Sequence, residues 1–453
     1  MREKFWWLFG KMLDGMEWLR HKVINQEIRT ITLQALPFWI ASLATGIVAV
    51  AYERLFALFE RAGRLLIEDV PWLIFITAPG FFVLSWWLVH RYAASARGSG
   101  IPQLMASIEL ANPRQDKRVD RLLGLRIAFV KVVSSLSLLL GNGAIGREGP
   151  TLQISASIFR FINRILPDYW PKVSKRIMLV TGGASGLAAA FNTPLGGIVF
   201  VVEELTKTHI TYFRTAVFAS VIIAGMTAQA LLGPYLYLGY PKVTPVGISF
   251  VGVILLAGAL AGWAGAMMAR LLLVIGNWKN TFVHTVRQQM LFVAGVGLLF
   301  ATMMYLAGPE AGGSGKELMN HLLFSDNKST EWYEFPARFI GPILSYHSGG
   351  AGGIFATSLS AGATLGAGLA GLLGVAATNY NLVILVSMVG YLTGVTRSPF
   401  TSAILVLEMT DRHSAIFYFL LAAMVANLVG YLVEHKSFYE QAKEQFMKPP
   451  AKG

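Results

Sequence analysis

Long apolar stretches separated by short polar ones dominate the chain between residues 37 and 433. The apolar segments are 37–59, 71–92, 122–141, 150–166, 177–205, 211–237, 248–275, 288–308, 334–346, 351–374, 380–395, 398–411 and 413–433. Several reach the roughly 20 residues that a membrane-spanning helix needs, whereas others are shorter or are interrupted by glycine or proline. Interrupted helices are tolerated at membrane depth only where they line a cavity or are buried in protein. The pattern therefore predicts an all-α integral membrane protein with broken helices, which is more typical of a transporter or channel than of a receptor.

Residues 1–36 follow a different pattern. Their apolar side chains recur at helical spacing, and charged side chains occupy much of the remainder. The apolar run Phe5–Gly10 ends at Lys11 and is too short for the core of a signal peptide. The pattern predicts an amphipathic helix on the cytoplasmic membrane surface, followed by a transmembrane domain over 37–433.

Composition supports a membrane location. Of the 453 residues, 54% are hydrophobic and only 14% are charged, against about 25% charged in ordinary soluble domains. The 46 glycines suit close helix packing in a bilayer, and the absence of cysteine excludes disulfides and thiolate chemistry. The net charge of +13 is spread between apolar segments, which indicates contact with membrane lipids and not with nucleic acid.

The distribution of basic residues predicts the orientation. Lysine and arginine cluster in the loops 114–121 and 172–176 and in the tail 434–453. Because positive charge accumulates in cytoplasmic loops, we expect these segments and both termini in the cytoplasm, with the protein in the plasma (inner) membrane. The tail is too short for a regulatory domain.

Motifs for other functions are weak. The G-x-G-x-x-G matches at 141–146 and 366–371 lack the strand-turn-helix setting of a nucleotide site. The segment 313–316 (GSGK) resembles a phosphate loop only in part, since its leading glycine is missing and Glu317 replaces the serine or threonine. We found no metal cluster, no cofactor motif and no nucleophile–base pair. A membrane-embedded enzyme is therefore the less favoured alternative from another class.

Three glycine-rich segments, 98–103, 146–151 and 352–356, each precede an apolar helical pattern. A helix N-terminus has free backbone N–H groups and a partial positive charge. Several such ends meeting within the membrane would bind a small anion without a full positive charge, which favours release as well as binding. Each segment taken alone is better explained as an ordinary helix cap.

Together these segments resemble the signatures of the CLC chloride channels and transporters. GSGIP and GREGP stand unbroken at 98–102 and 146–150, and a variant of GxFxP stands at 353–357. Further agreement lies at 182–194, 197–204 and 404–411, so that the resemblance covers about residues 30–445. It implies chloride transport, a homodimer with one pathway in each subunit, and two inverted halves of about 37–207 and 208–433.

The resemblance also implies roles for single residues. The hydroxyls of Ser99 and Tyr439 and the backbone N–H groups of Ile354 and Phe355 would bind chloride. Glu148 would be a gating carboxylate that competes with chloride. An ionisable residue at membrane depth is in any case a functional candidate.

A second glutamate passes protons in the family's exchangers, and the matching residue is Glu204. Its neighbour Glu203 is the weaker candidate because adjacent helical residues point about 100° apart. Gly146, Arg147 and Gly149 flank the gating residue and are expected to support it. The implied function is chloride/proton exchange with chloride and proton as transported ions. A passive chloride channel is the alternative, and family channels generally lack the inner carboxylate.

Two departures from the family pattern fall in the third signature. Thr357 and Ala351 stand where the family usually has proline. The loss of both prolines would loosen that helix start. The binding N–H groups belong to the backbone, so we expect the site to survive.

Overall fold

The computed structural model describes residues 26–167, 169–206, 214–233, 236–244, 246–326 and 328–448. Within these ranges the chain folds into α-helices joined by turns and short 3₁₀ segments, with isolated bridges but no β-strand. The helices are α1 Gln26–Glu68, α2 Ile74–Tyr92, α3 Ile101–Glu109, α4 Asp116–Leu122, α5 Leu125–Leu140, α6 Glu148–Ile165, α7 Lys175–Phe191, α8 Pro194–Phe200, α9 Arg214–Leu232, α10 Val251–Phe282, α11 Val286–Ala307, α12 Lys316–Phe324, α13 Glu334–His347, α14 Phe355–Leu372, α15 Tyr380–Thr396, α16 Pro399–Thr410, α17 Ile416–Val433 and α18 Phe438–Met447.

Long apolar helices form the body of the molecule. In the described ranges, nine helical stretches are long and apolar enough to cross a bilayer. Many of their large apolar side chains point outward, among them Phe129, Leu299, Leu306, Phe417, Leu428 and Leu432. Such an apolar surface suits lipid and not water, and intrahelical bonding satisfies the backbone there. The prediction of an all-α integral membrane protein is confirmed.

Broken helices occur where the sequence supplies a stop and a start together. The single apolar segment 177–205 divides into α7 and α8 at Asn192, whose φ of +56° ends the first helix. Pro194 then opens the second, since proline lacks the N–H that a first-turn residue leaves unbonded. Helix α8 continues as a π-helix over Val201–Thr206, a form frequent at functional sites.

The two ends of the chain differ from simple tails. Helix α1 begins at Gln26 and runs unbroken through Pro37, while the predicted surface helix lies mostly outside the described residues. At the other end, α18 packs against α3 with Phe438 and Tyr439 fully buried. The last described helix therefore contributes to the core instead of projecting from it.

Candidate anion and proton pathway

The three glycine-rich segments meet in one buried region. Gly98 N–H donates to the Gly350 carbonyl over 2.7 Å, and Gly352 N–H returns a bond to the Gly98 carbonyl over 3.1 Å. Gly146 and Gly353 exchange a pair of backbone bonds of 2.7 and 2.8 Å. The bonds hold together the turns that open α3, α6 and α14, so that three helix N-termini converge as the sequence predicts.

Two buried hydroxyls lie at this convergence. Ser99 and Tyr439 are fully buried and close to each other. Apart from each other, neither hydroxyl has a hydrogen-bond partner within the described part of the chain. A buried polar group without a partner costs about 1–3 kcal/mol, so both hydroxyls are suited to donate to an anion. Ile354 and Phe355 are the N-cap and first residue of α14, where backbone N–H groups lack intrahelical partners.

Gly149 allows α6 to approach the Ser99 turn. A Cβ atom at this position would overlap the Ser99 hydroxyl and lie 2.8 Å from the Ser99 carbonyl oxygen. Gly146 is equally confined, since its Cβ would overlap a Glu148 carboxylate oxygen and lie 3.2 Å from the Ala356 nitrogen. Both glycines therefore set the spacing between the Glu148 carboxylate, α14 and Ser99.

Glu148 is the first residue of α6 and is 1% exposed. Its carboxylate oxygens make no hydrogen bond to a described side chain, and the backbone N–H groups of Ala356 and of Glu148 itself lie close to them. Its carboxylate lies beside the start of α14, where a helix N-terminus favours negative charge. A side chain with so few polar contacts can exchange places with an anion at small cost.

Arg147 anchors the start of α6. Its guanidinium pairs with Glu53 over 2.8 Å and donates to the Ala190 carbonyl over 3.1 Å. These contacts tie α6 to α1 and α7. Such bonds fit the supporting role expected for Arg147.

Glu204 and Glu203 point to different places, as the helical spacing predicts. Glu204 is 2% exposed and accepts bonds from the hydroxyls of Ser398 at 2.9 Å and Ser437 at 3.0 Å. Ser437 is the N-cap of α18, two residues before Tyr439. Glu204 is thus connected to the element that carries the second hydroxyl of the candidate anion site.

Glu203 instead caps another helix. Its carboxylate accepts the backbone N–H groups of Phe400 at 3.1 Å and Thr401 at 2.7 Å, at the start of α16. Glu408, at the far end of α16, reciprocates by accepting the N–H groups of Leu195 at 3.0 Å and Gly196 at 2.6 Å. The sequence analysis missed this role of Glu408. The sequence did contain a signal for this role. Glu203 follows Pro194, which opens α8, by the same number of residues as Glu408 follows Pro399, which opens α16.

Lys131 was also missed. It is fully buried in α5, and its ammonium donates to the Gly98 carbonyl over 2.8 Å. Lys131 is the only charged residue of α5 beyond Arg126, and a lone charge in an apolar helix was the signal available. A buried basic side chain therefore lies behind the turn that presents Ser99, although the sequence analysis expected none.

A cavity of about 410 Å³ opens beside the same turn. Its lining includes Gly98, Tyr346 and Phe438, together with the basic side chains of Arg97 and Lys279. Positive charge in a confined cleft raises the local concentration of anions. The cavity reaches Gly98 and Phe438, the residues that precede Ser99 and Tyr439 in the chain.

Buried carboxylates beside converging helix N-termini define a membrane protein for the movement of small anions. A family model described as voltage gated chloride channel matches residues 80–431. The chain belongs to this family, the CLC proteins, whose members are transporters and channels, not enzymes.

Curated relatives carry a more specific description. The chain is 28% identical over 412 residues to the H(+)/Cl(-) exchange transporter ClcA of Salmonella agona, covering 87% of this chain and 85% of the relative. It is 28% identical over 417 residues to the protein of the same name from Citrobacter koseri, covering 88% and 86%.

Solved structures share the fold. A slow cyanobacterial Cl⁻/H⁺ antiporter gives a TM-score of 0.77 at 22% identity, covering 93% of this chain and 99% of that one. A CLC-type fluoride/proton antiporter gives 0.76 at 19% identity, covering 92% and 98%. At these identities the likeness concerns the fold alone. The part of the chain that the structure describes contains no group of three metal-ligating side chains.

Proposed function

We propose that this protein exchanges chloride for protons across the membrane. The observation that carries the proposal is the Glu148 carboxylate, which is buried beside the start of α14, near Ser99 and Tyr439, whose hydroxyls have no partner other than each other among the described residues. Chloride binds to these hydroxyls and to the backbone N–H groups of Ile354 and Phe355. Ionised Glu148 occupies the adjoining position as a tethered anion, and protonated Glu148 leaves it.

Protons reach the gate through Glu204. This carboxylate is buried, and an ionisable group at membrane depth is costly unless it has a function. It accepts hydrogen bonds from the hydroxyls of Ser398 and Ser437, which can pass a proton to and from it. Occupancy of the gate region by chloride disfavours ionised Glu148, and protonation favours chloride. This mutual dependence is the free-energy coupling that exchange requires.

A passive chloride channel is the second candidate. A channel needs no carboxylate on the inner side, and Glu204 would then be structural. Its burial away from bulk solvent, together with the curated relatives' description as exchange transporters, favours exchange.

Parallel measurement of chloride and proton flux in liposomes tests the proposal. Glu148→Gln mimics the protonated gate, so chloride should still pass while proton movement falls to background. Glu204→Gln should also abolish proton movement and leave chloride flux measurable. Glu203→Gln is the matched control, because it keeps a carbonyl acceptor for α16 and should retain coupled proton movement.

Two outcomes would contradict the assignment. Proton movement at the wild-type ratio in Glu204→Gln would remove Glu204 from the proton pathway. A wild-type protein that moves no protons against their gradient would make the channel the better description.

The proposal includes a homodimer in the plasma membrane, with both termini cytoplasmic and two inverted halves of about 37–207 and 208–433. Outward-facing apolar side chains of Leu195 and Phe400 on the mutually capped helices α8 and α16 offer a surface for a second subunit. Crosslinking in native-like lipid should trap two chains and no more. Recovery of monomers alone across a wide range of protein-to-lipid ratios would contradict the proposed homodimer.

A further inference from the structure

The segment 313–316 has no role in the proposed transport function. Its backbone conformation resembles that of the turn that carries Ser99. Gly98 and Gly100 have φ values of +62° and +103°, and Gly313 and Gly315 have +64° and +81°. Each turn opens a nine-residue helix, α3 in one case and α12 in the other. The second turn therefore presents a serine and a helix N-terminus in the same way as the first.

Each turn is also held by a buried basic side chain. Lys131 donates to the carbonyl of Gly98 over 2.8 Å, and the Arg338 guanidinium donates to the carbonyl of Gly313 over 3.2 Å. Both side chains come from the helix that precedes a converging helix N-terminus, α5 before α6 and α13 before α14. The likeness of the two turns thus extends to the side chains that bind their first carbonyl.

The turns differ in what their serines bind. Apart from Tyr439, the Ser99 hydroxyl has no partner in the described structure. Ser314 instead directs its backbone N–H and its hydroxyl to one carboxylate oxygen of Glu60, at 2.5 and 3.0 Å. Glu60 belongs to α1 and is half-buried. A carboxylate thus occupies the second turn at the position where the first presents free donors.

Arg338 supplies a second, independent indication of an anion. It is 0% exposed, and its Nε and Nη2 atoms have no hydrogen-bond partner among the residues that the structure describes. Its Cζ atom lies 3.0 Å from the position that a Cβ at Gly315 would take, so the guanidinium faces the turn. Unused donors of a buried guanidinium can stabilise a negative charge, and the carboxylates that act on Arg338 are Glu310, Glu60 and Glu334. Glu60 is the one of the three that is bonded to the turn.

Glu148 is a charged neighbour that both turns share. The charges that act on Lys316, which follows the second turn, include Glu60 and Glu148, and those that act on Tyr439, beside Ser99, include Glu204 and Glu148. The charge of an anion at the second turn would therefore act on a neighbourhood that includes Glu148.

We propose that residues 313–315, with Arg338, form a second halide cradle, that the Glu60 carboxylate fills it in this structure, and that chloride takes its place when the Glu60 side chain leaves the turn. The inference rests on the proposed function, since it gives chloride a binding position on the Glu60 side of Glu148. Glu60 acts there as a tethered anion, and it differs from Glu148 in being bonded to its turn.

Bromide, a halide located by its anomalous scattering, tests the cradle in crystals of the full chain. The variants are wild type, Glu60→Ala, Glu60→Gln and the double variant Glu60→Ala with Ser314→Ala. Glu60→Gln removes the charge while preserving size, and serves if the alanine variant does not fold. Glu317→Gln is the matched control, since Glu317 is an exposed carboxylate beside the same turn that pairs with Arg64.

Bromide should appear at Ser314 in Glu60→Ala, or in Glu60→Gln if only that variant folds, and should be absent there in wild type, in Glu317→Gln and in the double variant. Calorimetric titration with chloride should show about one more bound ion per subunit in the same Glu60 variant. Residual signal at Ser314 in the double variant equal to that in Glu60→Ala would overturn the role of the serine.

Bromide at Ser99 separates this proposal from the proposed function. If it binds at Ser99 and not at Ser314 in either Glu60 variant, the second cradle is wrong and the exchange proposal stands. If it binds at Ser314 and not at Ser99, the cradle is supported and the central site is contradicted. Bromide at Ser314 in wild type with Glu60 still in place would overturn the occupancy by Glu60.

Discussion

Residues 98–100 and 313–315 carry the same glycine–serine–glycine sequence, similar positive φ angles and a buried basic side chain on the first carbonyl. Only the second turn holds a carboxylate, because Glu60 reaches Ser314 while Glu148 makes no hydrogen bond to Ser99. The two turns therefore present a serine and a helix N-terminus in the same geometry, and they differ in whether a carboxylate is bonded to them. If both turns bind anions, which anion occupies each depends on whether a neighbouring helix places a carboxylate within reach.

The helices that converge on the pathway differ in a related way. Helix α6 begins with Glu148, Gly149 and Pro150, and α14 begins with Phe355, Ala356 and Thr357. Each has the same first-turn geometry, but a side chain at the second position is excluded only in α6, by the Ser99 hydroxyl. The requirement for glycine thus follows from the approach to Ser99 and not from the helix start itself.

Among the substitutions that test this comparison, Gly149→Ala should have the largest effect on chloride affinity. The new methyl group would overlap the Ser99 hydroxyl and displace it from the ion. Loss of a hydrogen bond to a charged group costs up to about 3 kcal/mol, equivalent to roughly a hundredfold in affinity. We expect Gly149→Ala to weaken chloride binding by that order, measured by calorimetry on the purified protein.

Ala356→Gly is the matched control for Gly149→Ala. It removes a methyl group at the equivalent position of α14, next to Gly146, and should change chloride affinity by less than about threefold. Chloride affinity that is unchanged in Gly149→Ala would show that Ser99 does not bind the ion. An equal loss in both variants would show that general loosening of the region, and not the Ser99 contact, governs affinity.

Local signals in the sequence predicted much of the site. The glycine-rich turns before apolar patterns located the starts of α3, α6 and α14, since turn and cap chemistry is encoded within a few residues. The different directions of Glu203 and Glu204 followed from helical periodicity alone. The Asn192–Pro194 break was likewise available locally, although the apolar run across it was assigned to one segment.

Contacts between distant parts of the chain could not be predicted in this way. Glu60 and Ser314 are 254 residues apart, and Glu408 and Gly196 are 212 apart. Nothing near Ser314 in the sequence indicates that a carboxylate from α1 reaches it. Such pairings depend on how the helices pack, so the 313–316 segment could be compared only with a phosphate loop, and its relation to 98–100 emerged from the backbone angles.

Thr357→Pro should have the smallest effect, and it tests the departure from the family's proline. Thr357 is the third residue of α14, and the first intrahelical bond is donated one residue later, from Ser358 to the Ile354 carbonyl over 3.0 Å. Pro150 holds the equivalent third position of α6, where Thr151 makes the first such bond to Arg147 over 2.9 Å. Proline at 357 therefore removes no helical bond.

The threonine already compensates for the missing proline. Its hydroxyl donates to the Ile354 carbonyl over 3.1 Å, which fixes the same first turn that proline would fix through its ring. We expect Thr357→Pro to change the free energy of unfolding by less than about 1 kcal/mol and chloride affinity by less than about twofold. Ser358→Pro is the control, because it deletes the bond to Ile354 and should cost about 3 kcal/mol. A large loss of chloride binding in Thr357→Pro would mean that the hydroxyl, and not the backbone geometry alone, maintains the N–H groups of Ile354 and Phe355, and that α6 and α14 reach the same first-turn geometry by different means.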